Sequence, residues 1–85
     1  MEKKLYAVLL GGKLRENHLM EDHHLVFVIA ENEPEARKLA KKKWDAVEVH
    51  VDGTQLIEKV DGFKIHLEED LDKDNEFAVN SKYSK

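Results

Sequence analysis

Apolar residues along this 85-residue chain change their spacing twice, and the changes outline a β–α–β unit at its centre. The run His24 to Ala30, apolar from Leu25 onward, is rich in β-branched and aromatic residues and short for a helix, so it reads as a strand. Its apolar character on both faces suits a strand covered by a helix on one side and by more chain or a second subunit on the other. From about Glu33 to Lys43 the apolar positions Ala36, Leu39, Ala40 and Trp44 recur at intervals of three and four, the stripe of an amphipathic helix. Asn32 is placed to cap that helix, with Glu35 completing a capping box and Pro34 in the first turn, where no N–H partner is lost. Lys41, Lys42 and Lys43 stand at the negative end of the helix dipole. After Trp44 the period becomes two: Val47, Val49 and Val51 point one way, Ala46, Glu48 and His50 the other. If the flanking strands are parallel in one sheet, the crossover between them is expected to be right-handed.

The rest of the pattern extends this unit on both sides. Leu5 to Leu10 reads as a first strand ended by Gly11-Gly12, and Lys13 to Asp22 as a polar loop of about a dozen residues, with Leu14, Leu19 and Met20 as its anchors. Antiparallel pairing of the first two strands would make this a hairpin. Asp52-Gly53 reads as a turn, and Thr54 to Lys59 fits either a helical turn or an irregular strand. Asp61-Gly62, with Val60 before it and Phe63, Ile65 and Leu67 alternating after it, predicts a tight hairpin turn. From Glu68 the chain turns acidic; Phe77-Ala-Val79 fits a short edge strand and residues 80–85 a flexible tail. Trp44, Phe27 and Phe63 are the aromatic residues expected to fix helix against sheet. The expected product is a single α+β domain over residues 1–79. It has a small mixed sheet of about four strands, in the order β-β-α-β-β, with one main helix on one face. One helix covers such a sheet incompletely, so a homodimer is expected.

Composition narrows the classes. A chain of this size buries only about 60 to 65% of its extended surface, so a modest core, or help from a partner chain, is expected. The absence of cysteine excludes disulfides, thiolate chemistry and cysteine-held zinc or iron–sulfur centres. No apolar stretch nears the roughly 20 residues that span a bilayer, and no secretory core follows Met1-Glu-Lys-Lys4, so cytoplasmic residence is the expectation. A net charge of −4 disfavours binding to duplex DNA.

Five segments together resemble a known family. They are KLYAVLLGG at 4–12, EDHHLVFVIA at 21–30, the lysine-rich helix ending in Trp44, VHVDG at 49–53 and VDGFKI at 60–65. In this order they are similar to the bacterial and archaeal family that carries the conserved domain of unknown function 1543. Members of that family show a histidine–aspartate pair before the second strand; here the pair is His23-His24, with Asp22 before it. The tryptophan that often follows the family's His-Ile-Asp segment is replaced here by Gly53-Thr54. The resemblance implies the same segment boundaries and brings no biochemical activity with it.

The density of histidine and carboxylate is the feature with chemical content. His18, Glu21, Asp22, His23 and His24 fall within seven residues, His50 and Asp52 end the third strand, and His66 sits on the last. A loop packed over the strand end near 50–53 would bring His23 or His24 to His50 and Asp52. Those four are the candidate metal ligands. Imidazole with carboxylate suits zinc, nickel or iron(II), or a general acid/base pair, although no HExxH spacing is present. Exposed histidines without a ligand, or a histidine hydrogen-bonded to hold the loop, are the competing readings. Gly11-Gly12 is not followed by a helix and so lacks the N–H groups of a phosphate loop, and Glu31, Glu33 and Glu35 surround the helix start. Arg37, Lys38 and Lys41 to Lys43 form a basic run beside Trp44, which in an RNA-associated protein would meet phosphates, and otherwise is a solvated helix face. The leading expectation is a non-catalytic structural or interaction module. A metal- or small-ligand-binding domain and an RNA-associated accessory protein are the alternatives, and an enzyme is expected least.

Overall fold

The computed structural model describes residues 2–17 and 19–72. His18, the acidic residues from Asp74 on, the expected strand Phe77–Val79 and the tail 80–85 lie partly or wholly outside the described residues. The element order is β1 (Lys4–Lys13), β2 (Asp22–Ala30), α1 (Glu33–Lys41), β3 (Val47–Ile57), β4 (Lys59–Val60) and β5 (Phe63–Lys64). This is the expected β-β-α-β-β arrangement with one main helix. β1, β2 and β3 form one sheet in the order β2-β1-β3, and the short β4 and β5 pair separately. β1 is antiparallel to both neighbours, so β2 and β3 run parallel to each other with β1 between them, and α1 carries the chain across.

The core follows from period two on β1. Tyr6, Val8 and Leu10 lie opposite Val28, Val26 and His24 of β2, and the first three, with Val26, Val28 and Ala30, are buried under Ala36 and Ala40 of α1. Alanines let the helix axis approach the sheet closely. Leu39, Trp44, Val49, Val51 and Leu56 close the rim of this cluster. The other face of the sheet, hereafter the open face, carries Leu5, Ala7 and Leu9 on β1 and Leu25, Phe27 and Ile29 on β2. Phe27, expected in the core, stands there at 41% exposure, and Phe63 on the separate hairpin is 75% exposed. With one helix among the described residues to cover the sheet, a residue's parity and not its bulk decides whether it is buried.

The helix start is built as its sequence implies. The Asn32 side chain accepts from the Glu35 N–H at 2.9 Å, and the Glu35 carboxylate accepts from the Glu31 N–H at 3.0 Å. The helix stops at Lys41, two residues short of the expected end. The N–H groups of Lys42 and Lys43 donate three residues back, to Leu39 and Ala40, tightening the last turn.

Two of the three turns expected from sequence are instead inside strands, and the third is where it was expected. Gly11-Gly12 does not end β1: both residues are buried inside the ladder, which runs on to Lys13, and the loop shrinks to residues 14–21. Leu14, Leu19 and Met20 do not anchor that loop; they are 56, 99 and 73% exposed. Asp52-Gly53 is no turn either, because β3 continues through it and through Thr54 to Ile57. The irregularity there is a bulge: Leu9 faces Gly53 and Leu10 faces Val51, leaving Asp52 as the extra residue. A second irregularity leaves Glu48, at φ 54°, between the pairs Gly11–His50 and Lys13–Val47. Asp61-Gly62 is the turn that was expected, both residues having positive φ (52° and 85°) as a two-residue hairpin loop of the I′ kind requires. Only Phe63–Lys64 pair after it, so Ile65, His66 and Leu67 are not in a strand.

Candidate metal centre

The bulge decides what lies on the open face. Along β3, Gly53 shares that face with Leu9; strict alternation would then put His50 on the helix side. One extra residue at Asp52 reverses the parity, so Val51 turns into the core beside Leu10 and His50 turns outward opposite Gly11. On the other side of β1, His23 is also opposite Gly11. A single row across the sheet therefore reads His23, Gly11, His50, with two imidazoles flanking a residue that has no side chain.

Two carboxylates complete the row. Asp52, at the bulge, stands with its Oδ2 3.2 Å from His23 Nε2 and its Oδ1 3.0 Å from His50 Nε2. Glu21, the last loop residue before β2, places Oε1 2.6 Å from His50 Nε2 and Oε2 3.6 Å from His23 Nε2. Each imidazole thus faces both acids. The loop is held for this task by Asp22, whose Oδ2 accepts from the Leu14 N–H at 3.0 Å across the loop's neck. The donor atoms of Glu21, His50 and Asp52 lie within 4.8 Å of one another, and His23 joins them through the two acids. All four side chains are between 30 and 52% exposed, so the group opens to solvent.

Gly11 is the floor of this arrangement. A Cβ built on it would come within 2.6 Å of Asp52 Oδ2 and 2.7 Å of both Glu21 Oε1 and His50 Nε2. The donors converge on the space that only glycine leaves free. Here the strand needs glycine for room and not for backbone freedom. Gly12 has a milder form of the same constraint on the helix side, where a Cβ would sit 3.2 to 3.3 Å from the carbonyls of Val47 and Glu48 and from Trp44 Cζ3.

Of the four candidates named from sequence, His23, His50 and Asp52 are brought together, by sheet register and not by a loop folding over a strand end. His24 is directed elsewhere. As the neighbour of His23 it falls on the helix face, its ring 5.5 Å from that of Trp44 at 34°. Glu21 belongs with the group; it falls in the histidine–carboxylate cluster of the sequence but not among the four candidates, although its position two before His23 gives it the same parity. His66 lies beyond β5, away from the row.

Four N and O donors of this kind can hold a divalent transition ion. Bonds of about 2.0 to 2.2 Å in a tetrahedron separate neighbouring donors by roughly 3.3 Å. The separations of 3.0, 3.2 and 3.6 Å, which involve different oxygens of Asp52 and of Glu21, are of that order, whereas the 2.6 Å contact is closer to a short charge-assisted hydrogen bond. The mixed imidazole and carboxylate set suits zinc, iron(II), cobalt or nickel better than calcium or magnesium, which take oxygen alone.

The basic run on α1 is partly committed inside the protein. Arg37 pairs with Glu33 at 3.3 Å and donates to Thr54 Oγ1 at 3.3 Å, and Lys43 Nζ donates to the Phe27 carbonyl at 2.6 Å. No helix among the described residues is long and apolar enough to cross a membrane.

Comparison with known proteins agrees with these segment boundaries. No curated protein and no solved structure matches the chain. The family model described as Domain of Unknown Function (DUF1543) matches residues 18–67, a span holding Glu21, His23, His50 and Asp52, α1 and the β4–β5 hairpin. This match takes in more than half of the 85 residues, and the chain belongs to the DUF1543 family.

Proposed function

We propose that this domain binds one divalent transition-metal ion per chain through Glu21, His50 and Asp52, with His23 as the fourth ligand. The observation that carries the reading is the glycine floor: three donor atoms from a loop and a strand point at the one backbone position where a Cβ would intrude. Two carboxylates and two neutral imidazoles sum to −2, which one divalent cation neutralises. The ligands come from one side only, the sheet below, so the outward side of the ion stays open to water or to an exogenous ligand. Three ligands sit on hydrogen-bonded strands, giving a rigid base. Glu21 arrives from the loop and is the ligand that moves on loading. The role is that of a metal-holding module and not of an enzyme with a nucleophile of its own.

A second reading rests on the 2.6 Å contact. With imidazolium in place of metal, His50 and His23 form paired hydrogen bonds with Glu21 and Asp52, and the group serves to tie loop 14–21 to the sheet. An RNA-associated role is supported less, because Arg37 and Lys43 already have partners within the domain.

Calorimetric titration of tag-free protein with Zn²⁺, paralleled by Co²⁺ absorption, separates these readings. One equivalent bound per chain, weakened roughly 10- to 100-fold or more in His50→Ala and Glu21→Ala, is the expected result. Failure of the folded wild-type chain to take up one equivalent of any of zinc, cobalt, nickel or iron(II) would overturn the metal reading in favour of the ion-pair one.

A further inference from the structure

We propose that the open face of the β2-β1-β3 sheet is the docking surface for a second copy of this chain, packed sheet against sheet. The inference is independent of the metal reading and rests on a different part of the same face.

In a sheet with a helix on one side, the other side normally carries polar side chains toward water. Here it does not. Leu5, Ala7 and Leu9 on β1 and Leu25, Phe27 and Ile29 on β2 are all apolar, and on β3 the same face adds Gly53, Gln55 and Ile57. None of these nine positions is charged, in a chain of which 38% is Asp, Glu, Lys or Arg. Leu9, Leu25, Phe27 and Ile29 remain 39, 54, 41 and 41% exposed.

Area and charge favour a second copy as the occupant, packed on the face. Side chains of this size leave an apolar centre of roughly 400 Å² at those exposures. Interfaces are a little over half apolar, so such a centre belongs to a contact of about 650 to 700 Å² on each partner. Two copies then bury about 1,300 Å² in total, within the range of specific complexes. Charge points the same way. Each copy carries a net −4, with Glu68, Glu69, Asp70 and Asp72 bordering Leu25, Phe27 and Ile29, and the nine uncharged positions are where two copies meet without opposing like charges. An uncharged apolar patch is also complementary to itself under a two-fold axis, whereas a partner of opposite charge would select the acidic surface instead. Pairing through the free edge of β2 is hindered, because Lys43 Nζ already occupies the Phe27 carbonyl there and blunts the edge. Faces stacked about 10 Å apart would leave the His23–His50 row at the rim of the contact.

The test uses the full chain. Sedimentation velocity on the wild type is expected to give a dimer at ~100 µM. Phe27→Glu is expected to raise the dissociation constant at least about tenfold, because it buries an unpaired carboxylate in the contact. Circular dichroism of the variant checks that it is folded. Should Phe27→Glu fail to fold, cross-linking replaces it, since the chain has no cysteine of its own. Ala7→Cys, at the centre of the face, should couple two chains through a short bismaleimide, and Lys38→Cys, on the solvent side of α1, should not. A monomeric wild type would overturn the proposal. So would a dimer that survives Phe27→Glu unchanged, or one that cross-links through Lys38→Cys and not through Ala7→Cys.

Discussion

Gly11 lies directly beneath His50: the two face each other across the β1–β3 ladder, and a Cβ on the glycine would stand 2.7 Å from the imidazole Nε2. The same virtual atom meets Asp52 and Glu21 at 2.6 and 2.7 Å. What it would collide with are the ends of partly exposed side chains, which can swing away. The fold should therefore tolerate Gly11→Ala, while the donor geometry should not. The expected outcome is a drop in Zn²⁺ affinity of about tenfold or more with a cost to stability of no more than about 1 to 3 kcal/mol, read by calorimetry and denaturant titration. Unchanged affinity would mean that the ion, if bound, sits away from this row.

Metal and stability are linked if the four groups hold an ion only in the folded chain. Zinc at a hundred times its dissociation constant should stabilise the domain by about 2.7 kcal/mol. For a domain of this size that raises the melting temperature by roughly 10 to 20 °C. Chelation should reverse the shift, and His50→Ala should remove the response. A melting curve indifferent to zinc in the wild type would argue for the ion-pair reading, in which the carboxylates need no cation.

The helix start offers a test of the fold alone. Asn32 accepts from the Glu35 N–H at 2.9 Å, and a residue without that oxygen leaves the first turn with an unsatisfied donor. Asn32→Ala should cost about 1 kcal/mol, and Asn32→Asp or Asn32→Ser should restore most of it. Zinc affinity should not change in any of the three, because the cap lies on the helix side of the sheet. A loss of affinity would show that α1 and the row are coupled through β2.

The cap was readable from sequence because it is local: an Asn, a Glu three residues on and a proline between them leave little else for that stretch to be. The same holds for Asp61-Gly62, whose turn needs two positive φ angles and nothing from the rest of the chain. Gly11-Gly12 and Asp52-Gly53 look alike in sequence but are inside strands, and what holds them there is not local. Gly11 is buried because side chains from a loop and from β3 roof it, and Asp52 sits in a bulge fixed by where β1 places Leu9 and Leu10. The row of candidate ligands inherits this dependence. His50 and Asp52, two residues apart, come to the open face beside His23 only because the bulge reverses the parity of β3, and Glu21 joins only once the loop is closed by Asp22 on Leu14. Phe27 shows the same limit from the other direction. Its size argues for the core, and its register opposite Ala7 puts it on the uncovered face.

His23 and His24 are adjacent in sequence and lie on opposite faces of β2, which makes them a natural pair of experiments. His23 Nε2 is 3.2 Å from Asp52 and 3.6 Å from Glu21, whereas the His24 ring packs 5.5 Å from Trp44 on the helix side. His23→Ala should weaken Zn²⁺ binding, and should do so less than His50→Ala, whose imidazole makes the two shorter contacts of 2.6 and 3.0 Å. It should leave the tryptophan emission unchanged. His24→Ala should do the reverse. Loss of the ring contact should cost about 0.5 to 1.5 kcal/mol and shift the emission of Trp44, the only tryptophan in the chain, with Zn²⁺ affinity within about twofold of the wild type. The opposite assignment, affinity lost in His24→Ala and kept in His23→Ala, would require β2 to pair with β1 one residue out of the register found here. Every side chain on the strand would then change face, exposing Val26 and Val28 and burying Leu25 and Phe27.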